Sequence, residues 1–186
     1  QLSAQSYKYQ KIVGFTDATN AKLEAFLQST ISMNIRKVAV FDCDGTLFGQ
    51  VPYYLAEESL YEYARRNYAG KKDAKSVEKF KLVDKMIHED AISRERDRIK
   101  FLSGLTPEEV QRIGDDCFHE KYQNKFYPQM KALLANLRNY DFETWVISAS
   151  PELLYQRFCV EELGFQEDRV IGVKSLVTMG GIVTDH

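Results

Sequence analysis

The strongest constraint on this chain is a short apolar run that ends in acid. Lys37-Val38-Ala39-Val40-Phe41 is followed at once by Asp42-Cys43-Asp44-Gly45-Thr46-Leu47. A valine-rich run bounded by polar residues reads as a strand buried on both faces, the habit of a parallel sheet. Two carboxylates at i and i+2 of an extended segment project to one side. Gly45 permits a sharp departure of the backbone, and Thr46 adds a hydroxyl beside the acids. Ligands of open α/β sheets bind beyond the carboxyl ends of strands, so this segment predicts a site as well as a strand.

The remaining periodicities supply the other layers. Residues 1–15 read as an irregular arm. Leu23, Phe26, Leu27 and Ile31 recur at helical spacing and predict an amphipathic helix over roughly 18–30. From Pro52 to about Tyr127 the chain reads as helical throughout. Pro52 suits the first turn of a helix carrying Tyr54, Leu55, Leu60, Tyr61 and Ala64 inward. Gly70 and Lys71-Lys72-Asp73 break it. Val77, Phe80, Val83, Met86 and Ile87 mark a second helix, and Ile92, Ile99 and Leu102 a third. Thr106-Pro107-Glu108-Glu109 is a strong helix start, with a hydroxyl cap, proline at the first position and acids in the first turn.

The strand habit returns over Phe142–Ser148, centred on Trp145-Val146-Ile147. Ser150-Pro151-Glu152 opens a further helix that Leu163-Gly164 closes. Arg169–Val173 is a third short strand, and Gly180-Gly181 between Leu176-Val177 and Ile182-Val183 predicts a hairpin. The order predicts an α/β fold with a helical insertion after the first strand.

Composition narrows the function. The 186 residues suit one domain with a modest insertion. With 25 basic and 27 acidic residues the net charge is −2, which argues against a general nucleic-acid binder. No apolar run approaches the ~18 residues of a membrane span. Cys43, Cys117 and Cys159 lie far apart, and neither a disulfide framework nor a zinc motif is expected. The first residue is Gln1, which fits a removed export signal, a trimmed chain or a disordered start. Cytoplasmic and bacterial periplasmic locations are both compatible with that, and the oligomeric state stays open.

A carboxylate at the end of the first strand can attack phosphorus and split hydrolysis into two easier steps. Two anions meeting a phosphate repel it, so a hard divalent cation is expected, and Mg2+ prefers oxygen ligands. The second carboxylate can protonate the leaving oxygen and later deprotonate the attacking water.

Asp42-Cys43-Asp44-Gly45-Thr46 resembles the first motif of the haloacid-dehalogenase-like phosphohydrolases, Asp-x-Asp-x-Thr after the first strand. The resemblance implies a Rossmann-like core, here residues 1–48 and 128–186, with a helical cap at 49–127. It implies Asp42 as nucleophile and Asp44 as acid/base. It also implies that Asp42, through a carboxylate oxygen, and Asp44, through its backbone carbonyl, hold Mg2+. Val146-Ile147-Ser148-Ala149-Ser150-Pro151 is similar to the second motif. Ser148, with the N–H of Ala149 and with Thr46, would then hold phosphate oxygens. The inserted helices resemble the cap of the phosphoserine-phosphatase-like branch, implying a phosphatase acting on a small phosphorylated metabolite. Phosphoryl transfer to a second hydroxyl and a silent phosphate-binding module are the alternatives.

Two parts of the resemblance have no counterpart. The family's late lysine and acidic metal ligands are expected beyond His186, since Lys174 and Asp185 fall before or within the hairpin. An acid just past the nucleophile, which phosphoserine phosphatases use for the substrate amine, is replaced by Gly49-Gln50-Val51-Pro52-Tyr53, with Glu57 and Glu58 further on. Tyr53, Tyr54, Tyr61, Tyr63 and Tyr68 offer a different possibility, a cage for a quaternary amine such as choline. His88 and His119 sit in no metal-ligand spacing. Lys71–Lys85 and Arg94-Glu95-Arg96-Asp97-Arg98 read as solvated helix faces, with one of the arginines within reach of a substrate anion.

Overall fold

The computed structural model describes residues 6–186. Helix α1 (Asp17–Thr30) starts where the Thr16 hydroxyl accepts the N–H of Thr19, and it leads to strand β1 (Val38–Phe41). Four helices follow: α2 (Leu55–Asn67), α3 (Ala74–His88), α4 (Ala91–Leu102) and α5 (Pro107–Cys117). Each of the last three has a side-chain N-cap, from Asp73, Asp90 and Thr106. At Thr106 the predicted start is a full capping box closed by Glu109. A π-helical turn, Phe118–Tyr122, then leads toward α6 (Pro128–Asn139), strand β2 (Glu143–Pro151), helix α7 (Glu152–Glu161) and strand β3 (Val170–Val173). The expected hairpin follows as an antiparallel pairing of Val177 with Val183.

The sheet has three parallel strands in the order β1-β2-β3. Register places Val38 beside Glu143 and Phe41 beside Val146. Arg36 grips Glu143 with Nε at 2.9 Å and Nη2 at 2.7 Å, fastening the start of β1 to the start of β2. Among the described residues no helix is long and apolar enough to cross a membrane.

Several expectations need correction. β1 is not buried on both faces. Phe41 is buried, but Val38 and Val40 are 42% and 55% exposed, and Ile147 on the same face of β2 is 51% exposed. Among the described residues the helices cover only the opposite face of this sheet edge. Pro52 lies before α2 rather than in its first turn, and Tyr54 is exposed, whereas Leu55, Leu60, Tyr61 and Ala64 are buried as expected. β2 runs through to Pro151, so Ser150 lies within the strand, and Pro151 rather than Ser150 stands at the N-cap of α7. The charged runs are not wholly solvated. Lys79, Asp97 and Arg98 are 7%, 2% and 4% exposed, because α3 and α4 pack on each other and turn these positions inward.

The inserted helices are not loosely attached. α5 lies directly on α7 and packs against α2 as well. Phe118 stacks on Phe158 with ring centroids 4.3 Å apart, and Phe48 meets both edge-on. One apolar core therefore runs from the loop after β1 through α5 to α7.

Candidate active site

The loop after β1 is shaped by its own backbone. The carbonyl of Cys43 accepts N–H bonds from Thr46 and Leu47, at 3.2 and 2.9 Å, and the N–H of Gly45 donates to Phe48 at 2.8 Å. Gly45 has φ +73°, and a Cβ there would stand 2.7 Å from Oε1 of Gln50. The positive φ is what calls for glycine at 45, since the end of the exposed Gln50 side chain could move aside. Cys43 turns into the core and is fully buried, which leaves the two acids to the outside of the turn.

Their environments differ. Asp42 is exposed; its Oδ1 accepts the N–H of Cys43 at 2.7 Å, and its Oδ2 has no hydrogen bond among the described residues. Asp44 is half-buried and fully engaged. Its Oδ1 accepts the N–H of Leu55, the first residue of α2, at 3.3 Å. Its Oδ2 accepts the hydroxyl of Tyr155, on α7, at 2.6 Å. Burial raises the Asp44 carboxyl above its ordinary range, against the lowering pull of these two donors, while the charge of Asp42 adds to the rise. Two carboxylates placed this differently can take different roles, one open to solvent, the other held in place and able to keep a proton.

The second predicted motif comes to the same edge. Phe41 and Val146 are register partners, so the chain just past each emerges side by side. Ser148 is buried, and its Oγ accepts the N–H of Ser150 at 3.1 Å; Ala149 is exposed. Thr46 is half-buried beside the acids.

Arg98 and Glu57 join this group from the inserted helices. The Arg98 guanidinium lies 3.3 Å from Oγ of Ser150 and 3.7 Å from Oε1 of Glu57, and its charge acts on Asp44. Burial raises the Glu57 carboxyl, with Arg98 opposing. Oε2 of Glu57 and Nε of Arg98 are both buried without a hydrogen-bond partner among the described residues. The sequence pointed to Arg98 only as one of three arginines and gave no signal for Tyr155, which reads as another core aromatic at helical spacing. Of the five tyrosines, Tyr53 and Tyr61 meet edge-on at 5.3 Å near Glu57, whereas Tyr63 and Tyr68 pack on Phe101.

The donor set suits a hard cation in kind. Asp42 has an open carboxylate oxygen at an exposed position, and no soft ligand competes at the surface of the loop. Among the described residues no three His, Cys, Asp or Glu side chains come together to hold a metal. His119 is bound to the carbonyl of Asp115 and to Glu162, away from the acids.

No curated protein matches the chain. Among solved structures, a conserved functionally unknown protein from Anaerococcus prevotii aligns with TM-score 0.65 and 12% identity, over 96% of this chain and 73% of that one. A protein of unknown function from Bordetella pertussis aligns at 0.60 and 16%, over 82% and 66%. A phosphoserine phosphohydrolase-like protein from Francisella tularensis aligns at 0.47 and 18%, over 81% and 63%. The chain thus spans just under two thirds of the length of the last two. Residues 39–185, from the middle of β1 to the end of the hairpin, match the family described as haloacid dehalogenase-like hydrolase. With its paired acids after β1 and its parallel sheet, this chain belongs to the haloacid dehalogenase-like hydrolases.

Proposed function

We propose that this protein is a phosphatase that hydrolyses a small phosphomonoester through an aspartyl-phosphate at Asp42. The observation that carries the reading is the contrast between the two acids. Asp42 presents an unbonded oxygen to solvent, while Asp44 is half-buried with its carboxyl raised by burial. In the first step Oδ2 of Asp42 attacks phosphorus, the bond to the ester oxygen breaks, and Asp44 gives that oxygen its proton. In the second, water attacks phosphorus, Asp44 takes the water proton, and the carboxylate of Asp42 is released with inorganic phosphate. Ser148, the N–H of Ala149 and Thr46 hold the phosphate oxygens. Mg2+, held by Asp42 and by the backbone carbonyl of Asp44, would screen the repulsion between the acids and the phosphate when bound.

Residues 49–127 act in this reading as a cap over a core of 1–48 and 128–186. The cap contributes Glu57 and Arg98, two buried groups of opposite charge that each keep an atom with no hydrogen bond among the described residues. A substrate carrying both an ammonium and a carboxylate would satisfy both atoms. A quaternary amine has no N–H to give Glu57, which favours a phosphoserine-like over a phosphocholine-like ester. The reading is tested by turnover of an aryl phosphate with Mg2+ in the parent and in Asp42→Asn. Loss of turnover with unchanged thermal stability is expected. Activity of Asp42→Asn within tenfold of the parent would overturn it.

A further inference from the structure

Asp44 does not stand alone in its loop. Its two carboxylate oxygens are taken by donors from different parts of the fold, the N–H of Leu55 at the start of α2 and the hydroxyl of Tyr155 on α7. The triangle is closed by a third bond: the N–H of Ala56, next along α2, donates to the Tyr155 oxygen at 3.3 Å. Tyr155 and Ala56 are fully buried, and Leu55 beside them is too. A buried hydroxyl that gives its proton to one partner and accepts from another has a defined orientation, and so fixes both.

We propose that Tyr155 is a positioning residue that locks the carboxylate of Asp44 and the first turn of the cap helix α2 into one unit. The inference rests on the reading of Asp44 as the acid/base. Its physical content is geometric. A free aspartate rotates about two torsions, and a proton donor off its line loses much of its effect. Here neither oxygen can swing without breaking a bond to α2 or to α7. Conversely, the first turn of α2 has no side-chain cap of its own; two of its otherwise unpaired N–H groups are satisfied by this unit instead. Movement of the cap's first helix away from α7 would therefore release the acid, so a proton is delivered only when α2 is seated.

Tyr155→Phe removes the hydroxyl and keeps the ring that packs on Phe158 at 5.6 Å. The diagnostic amide is Leu55, which bonds to Asp44 and not to Tyr155. Its hydrogen exchange in Tyr155→Phe is expected to rise about tenfold, while Tyr68, bonded within the last turn of α2, keeps its parent rate. Asp44→Ala provides the reciprocal variant: the Ala56 amide, which bonds to Tyr155, should exchange faster in it. The double variant should exchange Leu55 no faster than Asp44→Ala alone. In turnover, Tyr155→Phe should lower kcat about tenfold or more for an alkyl phosphate, change kcat for 4-nitrophenyl phosphate little, and leave KM unchanged for both. A Leu55 rate unchanged in Tyr155→Phe, or equal loss on the two esters, would overturn the proposal. A full-length parent that turns over neither ester marks failure of the phosphatase reading; the exchange rates of Leu55 and Ala56 then decide the lock by themselves.

Discussion

Gly114 of α5 lies so close to Leu154 of α7 that a Cβ at 114 would stand 1.8 Å from the Leu154 carbonyl oxygen. The two backbones touch at this point, and α7 is the helix that carries Tyr155. The last inserted helix is therefore joined to the helix that follows the second motif.

Gly114→Ala forces α5 off α7, since the atom it meets is backbone and cannot rotate away. Overpacking at such a site costs about 3 kcal/mol. Chemical denaturation should show that loss, and a variant as stable as the parent would show that α5 moves freely on α7.

Lys79 is expected to matter for the packing of α3 on α4 although it lies in a lysine-rich run. Its ammonium donates to the carbonyls of Lys100 and Ser103, at 3.1 and 2.8 Å, and to that of Phe101, closing the C-terminal end of α4. Burial lowers its pKa to about 8. Lys79→Met leaves these carbonyls without their shared donor and should cost about 2 kcal/mol. Equal urea midpoints for Lys79→Met and the exposed control Lys81→Met would contradict that assignment.

The hold of Arg36 on Glu143 has a pH signature. Its hydrogen bonds, above all, lower the Glu143 carboxyl from 4.5 to about 2. A carboxylate depressed in the folded state adds stability above pH 4.5, and the contribution is lost as pH falls toward 2. Acid unfolding of Glu143→Gln should be flatter than that of the parent over this window. Parallel curves would remove the pair from the account of how β1 is anchored.

The strand, the acid pair, the order of elements and the helix start at Thr106 were legible in the sequence because each is a local pattern. Val38 and Val40 were misread for a physical reason: apolar composition reports what a strand can bury, while burial depends on which elements lie over it. Arg98 was misjudged in the same way. Its neighbours Glu95 and Arg96 are exposed, and only the packing of α4 turns that one position of a charged run toward Ser150. Tyr155 carried no signal, since its role comes from a hydroxyl that meets a residue 111 positions earlier in the chain.

The central claim is that Asp42 becomes phosphorylated. Acid quenching after brief exposure to a 32P-labelled aryl phosphate and Mg2+ should leave label on the protein, located at Asp42 by peptide mapping and missing from Asp42→Asn. Steady turnover with no label on Asp42, or with label retained by Asp42→Asn, would contradict the account.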